Sequence, residues 1–244
     1  MAIVVEWRMW HRGWLALMGA LIVAWAQGAQ SPSLDHGVGQ TEYYYRFEST
    51  MMDLSWVEMY FNQTGRGQFI FRRKNDEEPI RLDLSLLPET VHQIDGYVAQ
   101  MQFLTSQENY QSKRDLSHLG TITWRVRQGE RQRQVSFNHT QHPVMRELAN
   151  LLRHITTQET RLFTLQLVRQ YEPLGLDKEL MALQREINNG WIAEPVKFVP
   201  LLHDLQSDEN ILLIARRRAG EILQRIKKHL HAKRLGLVFL HALY

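Results

Sequence analysis

His139 and His142, in the stretch His139-Thr140-Gln141-His142, are the pair best spaced to share a metal ion, because positions three apart lie on one face of a helix. Pro143 follows directly and marks the start of a helix there, so the pair reads as two polar loop histidines rather than ligands on a helix interior. His229 and His231 are two apart, a spacing that sends their side chains in different directions if the segment is helical. The acidic run Asp76-Glu77-Glu78 sits between Asn75 and Pro79 and reads as an exposed hairpin tip. With no cysteine in the chain, thiolate nucleophiles and Cys-based metal sites are excluded. No Gly-x-Ser-x-Gly, His-Glu-x-x-His, Walker loop or Gly-x-Gly-x-x-Gly is present. No residue is therefore assigned to catalysis, to a cofactor or to a metal.

The densest charge lies in residues 215–234, ARRRAGEILQRIKKHLHAKR, with eight Lys or Arg and one Glu. From Gln206 to Arg234 these eight face Asp208, Glu209 and Glu221, a local net of +5 in a chain whose overall formal charge is only +3. A total that small implies no global polyanion partner. On a helix from about Ile211, Ala215, Ala219, Ile222, Leu223, Ile226 and Leu230 form an apolar stripe. Arg217, Gln224, Lys227 and Lys228 fall away from it. The primary reading is a solvated helix face whose cations suit a helix C-terminus. The second reading makes Arg217, Lys227 and Lys228 a partner-binding surface for an acidic protein or anionic phospholipid headgroups. Nucleic acid is disfavoured, because no aromatic residues interleave with the charges.

Stepping along the chain, the first residues run MAIVVEWRMWHRG and then WLALMGALIVAWAQGAQS: a positive n-region, an apolar stretch of about fourteen residues, and small residues beyond. This is the layout of a signal peptide, with Ala24-Trp25-Ala26 placing cleavage after Ala26, and an uncleaved signal anchor is the alternative. Since no Cys follows, a lipoprotein is not expected. Export without cysteines points to a bacterial periplasmic or secreted protein stabilised by packing alone. The same export argues further against nucleic acid as the partner of the basic stretch.

Residues 27–40 read as a linker and the fold begins near Thr41. Trp56–Asn62 and Gln68–Arg73 around Gln63-Thr64-Gly65-Arg66-Gly67 predict a β-hairpin, and Ile80–Leu84 a third strand. Pro88 opens a helix whose buried face is Val91, Ile94, Val98, Met101 and Leu104. Thr121–Arg127 and Gln132–Asn138 predict a second hairpin, with Ile122, Trp124 and Val126 on the buried face. From His142 onward the periodicity is helical. Tyr43-Tyr44-Tyr45, Trp56 and Tyr60 are read either as strand packing or as an exposed aromatic platform for a ligand or glycan. The fold class is α+β: antiparallel hairpins with a packed helix over 41–156, then a helical region over 157–244.

Two resemblances refine this reading. The order of elements, carried by LSLLPETVHQI, TITWRV and HPVMRELANLL, resembles small α+β domains of the emfourin type over about residues 54–155. That family inhibits thermolysin-like metallopeptidases, and no inhibitory residue carries over. Phe198–Leu205, Ser207-Asp208 and Ala215–Ile226 resemble one HEAT-type helical repeat, with Asp208 and Arg216 at that family's Asp and Arg positions. Residues 158–190, with Leu162, Leu165, Val168, Leu180, Leu183 and Ile187, are a candidate neighbouring unit. The functional expectation is an exported, non-enzymatic protein-binding or scaffold protein of the cell envelope, without a cofactor, whose partner is another envelope protein. A secreted hydrolase or a peptidase inhibitor is the alternative.

Overall fold

Alternating apolar residues between Thr41 and Phe137 build one antiparallel sheet. Its strands are β1 (Thr41–Glu48), β2 (Leu54–Asn62), β3 (Arg66–Arg73), β4 (Ile80–Ser85), β5 (Thr121–Gln128) and β6 (Arg131–Phe137), in the order β4-β3-β2-β1-β5-β6. The computed structural model describes residues 40–241, apart from Asp115 and from the side chains of His229 and residues 231–241. The expected signal peptide, residues 1–26, and all but the last residue of the expected linker, residues 27–40, lie outside the described residues. The described residues belong to one compact unit.

Register follows side-chain chemistry. Tyr43 and Tyr45 of β1 lie opposite Phe61 and Met59 of β2 on one side and Val126 and Trp124 of β5 on the other. All six are buried on one face. A shift of one residue would turn every one of them to the other face, so burial pins the pairing. Gly65, at φ +79°, closes the β2–β3 turn; a Cβ there would sit 2.5 Å from the Leu86 carbonyl oxygen, so the turn packs against the chain entering the first helix.

That helix is α1 (Pro88–Gln100), followed by α2 (Pro143–Tyr171), α3 (Leu176–Asn188), α4 (Val199–Ser207) and α5 (Leu213–His241). Proline stands in the first turn of α1 and α2, where its missing N–H costs nothing. Val91 and Ile94 bury one face of α1 in the core beneath the sheet, joined by Met101 just past the helix end, while Val98 and, further on, Leu104 are only partly buried.

The chain is α+β, as its patterning implies. The long helix α2 runs without interruption across residues 156 and 157. Its first half gives Met145, Leu148, Leu152 and Ile155 to the core beneath the sheet. Its second half gives Leu165 to a separate core with Leu176, Leu180, Leu183, Leu202, Leu205, Ala219, Leu223 and Ile226. Leu162, Val168 and Ile187 pack at that second core's edge. Thus α2 is a shared rod between two apolar clusters.

The basic stretch follows its stripe with one departure. Ala215, Ala219, Ile222, Leu223 and Ile226 are buried, but Leu230 is 39% exposed; among the described side chains the core shared with α3 and α4 reaches Ile226. Leu223 sits at 4% exposure against that core. Leu223→Ala is expected to destabilise the chain toward the lower end of the range of about 2–5 kcal/mol for such truncations. Urea unfolding of the variant checks this, and a change below about 0.5 kcal/mol would remove Leu223 from the core.

Candidate functional site

The histidine pair resolves first. His142 is the N-cap of α2: its Nδ1 accepts a hydrogen bond from the Met145 backbone N–H at 3.2 Å, and its ring meets Tyr110 edge-on at 5.2 Å. The His139 carbonyl accepts from the Ser112 N–H at 2.8 Å. This local work explains why a helix begins at Pro143. Among the described residues no group of three or more His, Asp or Glu side chains is placed to hold a metal ion. Asp76 accepts from the Arg73 N–H at 3.2 Å and closes a turn, with Glu77 and Glu78 exposed beside it. The side chains of His229 and His231 lie outside the described residues.

The tyrosine run divides between the two faces of the sheet. Tyr43 and Tyr45 pack inward, with the Tyr43 hydroxyl donating to Asp95 of α1. Burial first, and then the Asp95 carboxylate, push the Tyr43 phenol far above its ordinary range. Tyr44 and Tyr60 point the other way and face each other across β1 and β2 with ring centroids 4.7 Å apart. Arg125 lies over the Tyr44 ring at 4.7 Å and Arg46 over Trp56 at 5.4 Å. Glu58 stands between them, accepting from the Tyr44 hydroxyl at 3.1 Å and from Arg46. Desolvation, with Glu58 second, raises the Tyr44 and Tyr60 phenols. Tyr44, Arg46, Trp56, Glu58, Tyr60 and Arg125 thus partner one another, so this cluster holds its own polar groups in place.

The basic stretch likewise divides. Arg218 donates from Nε to Asp177 of α3 at 2.6 Å, and Arg225 to Asn188 at the end of α3. These cations fasten α5 to its neighbour. Arg217, Lys227 and Lys228 are exposed. Of the two repeat-like positions, Asp208 is taken by Arg169 of α2 at 2.8 Å, while Arg216 Nε is buried without a hydrogen-bond partner. The Arg169 hydrogen bonds, reinforced by the Asn210 backbone N–H, hold the Asp208 carboxyl below the usual carboxylate range.

This ion pair sets the geometry of a groove that no single segment reveals. By tying the end of α2 to the α4–α5 loop, it frames a space of about 740 Å³ with a floor of Leu162, Leu201 and Ile211. Gln166, Asp204 and Lys197 add polar groups to the lining. Lys197 is held by Glu159 at 2.6 Å, so the wall near it is fixed in place. Large apolar side chains lie next to the lining residues in sequence: Leu174, after Pro173, is 75% exposed, and Leu212, Leu213 and Ile214, after Ile211, are 44%, 52% and 54% exposed. Tyr171 adds a further 71% exposed ring beside Gln170. An apolar floor with convergent polar groups suits side chains of another polypeptide better than a small charged metabolite. The sequence matches no protein-family model, and no curated protein sequence matches it significantly.

Proposed function

We propose that the chain is an exported, non-enzymatic binding or scaffold protein of the cell envelope that holds a segment of another envelope protein in the groove between α2 and α4. The observation carrying this reading is the groove itself, whose lining sets apolar Leu162, Leu201 and Ile211 beside polar Gln166, Lys197 and Asp204, with the exposed side chains of Tyr171, Leu174 and Leu212 adjoining lining residues in the chain. A concave surface that mixes apolar floor and fixed polar groups is the kind that takes up side chains of a partner. The HEAT-type reading of α4 and α5 points the same way, since stacked helices of that class bind polypeptide along their exposed surfaces. The occupant is a segment that presents apolar side chains flanked by polar groups, with Asp204 and the Arg169–Asp208 pair setting its register.

The absence of cysteine allows one introduced thiol to report on the groove. A photo-reactive label on Leu201→Cys, used in an envelope extract, should give a discrete adduct with one protein. The adduct should disappear in Leu174→Asp plus Ile214→Asp, both exposed positions whose change leaves the fold intact. An unchanged adduct pattern in that double variant, or no adduct at all, would overturn the groove. Inhibition of a thermolysin-like metallopeptidase that survives the double variant would favour the inhibitor reading instead. Intact mass of the exported form, expected to lack residues 1–26, checks the compartment.

A further inference from the structure

We propose that α5 beyond Ile226 is a surface anchor that docks the protein on anionic phospholipid. The argument begins with lengths. The helix α5 has 29 residues, whereas its packing partners α3 and α4 have 13 and 9. At 1.5 Å per residue these lengths are about 44, 20 and 14 Å, so α5 outruns the helices that cover it. Among the described side chains of α5 the last buried one is Ile226; Lys227 and Lys228 are exposed and Leu230 is 39% exposed. The backbone nevertheless stays helical to His241, fifteen residues counted from Lys227.

The composition of that extension is sharply ordered. From Ile222 to Tyr244 there are five cations, Arg225, Lys227, Lys228, Lys233 and Arg234, and no Asp or Glu. Directly after them, five of the six positions 235–240 are apolar: Leu235, Leu237, Val238, Phe239 and Leu240. Successive helical positions are about 100° apart, so five apolar positions out of six surround the axis and cannot share one core-facing stripe. A helix apolar on all sides needs apolar surroundings, and a basic girdle just before it needs anions at the border of those surroundings. A membrane surface rich in anionic headgroups supplies both in that order, with each cation near the surface strengthening attachment about fivefold. An apolar run of this size is far short of the roughly twenty residues that span a bilayer, and no described helix is long and apolar enough to cross one. The attachment is therefore to the surface, with shallow insertion. Nucleic acid would use the cations and leave the apolar positions without a purpose. The inference does not depend on the groove.

The full chain with Leu237→Cys, labelled with an environment-sensitive fluorophore, provides the test, because no native thiol competes for the label. Mixed with vesicles of phosphatidylcholine and phosphatidylglycerol at about 0.15 M salt, the label should shift to the blue and brighten. Phosphatidylcholine vesicles alone should give little response. In the same labelled chain, Lys227→Glu with Lys228→Glu should weaken partitioning at least tenfold, since each reversal also adds repulsion. The N-terminal apolar segment is identical in both proteins and cannot account for that difference. Phe239→Ser should weaken binding while leaving its salt dependence in place. Equal response to the two kinds of vesicle, no response to either, or a response to duplex DNA in place of vesicles would overturn the proposal.

Discussion

Glu194→Ala is expected to destabilise the protein by about 3–5 kcal/mol, the range for removing one member of a buried charged network. Glu194 lies in the segment between α3 and α4 at 2% exposure, yet both carboxylate oxygens reach other elements. One accepts from the Leu87 N–H at 2.7 Å, at the start of α1 beside the sheet. The other accepts from Gln158 of α2 at 3.2 Å and lies 3.7 Å from Lys197 Nζ. Gln158, fully buried, accepts at its side-chain carbonyl oxygen from the Glu194 N–H at 2.6 Å and donates from its amide nitrogen to Glu159 at 2.9 Å. Truncation would leave a helix N-terminal N–H, an amide donor and part of an ammonium's charge without their partner in a dry site. Glu194→Gln keeps an acceptor for Leu87 and should cost clearly less. Denaturant unfolding of the pair decides the matter: equal losses, or a loss below about 1 kcal/mol for the alanine variant, would show that this network does not join the sheet layer to the helical region.

Phe71→Ala is the second large effect, at about 3–5 kcal/mol. Phe71 is fully buried on the inner face of β3, with its ring 5.5 Å from Phe69 and 5.5 Å edge-on from Phe163 of α2. Phe163 is also covered by Arg73, whose guanidinium carbon lies 5.8 Å from the ring centroid and which donates to Thr164 at 3.0 Å. Removing the ring opens a cavity between a sheet and a rigid 29-residue helix, neither of which can collapse to fill it. Phe71→Leu should recover most of the loss. Thermal and urea unfolding that place the alanine variant within about 1 kcal/mol of the native chain would refute a shared sheet–helix core at this position.

Much of this architecture is legible one segment at a time. The hairpin glycines, the prolines at Pro88 and Pro143, and the alternation of Ile122, Trp124 and Val126 each act over a few residues, so they identify the strands and helices directly. The apolar stripe on α5 was readable as far as Ile226 for the same reason. Its end was not: periodicity included Leu230, but whether a residue at the right phase is covered depends on how long the neighbouring helices are.

The groove was not readable either. Its walls come from α2, the turn after it, α4 and the α4–α5 loop, and the Arg169–Asp208 pair that frames it joins residues 39 apart. Neither residue carries a local signal for the other. Nor does the chain mark Gln158, Glu159 and Glu194 as a buried set, because Glu and Gln are ordinarily surface residues and only a shared partner makes their burial tolerable.

The amino-acid sequence by itself determined the class of the fold, the two hairpins, the helices that open at Pro88 and Pro143 and the absence of thiol chemistry, because period, turn chemistry and composition are local properties. Tertiary structure alone decided that β1 lies at the centre of the sheet between β2 and β5. It also decided that α2 serves two cores, that Arg218 and Arg225 are spent on α3 while Arg217, Lys227 and Lys228 remain exposed, and that a groove opens beside α4. Each of these depends on which distant surfaces meet, and that is settled by the joint burial of residues far apart in the chain.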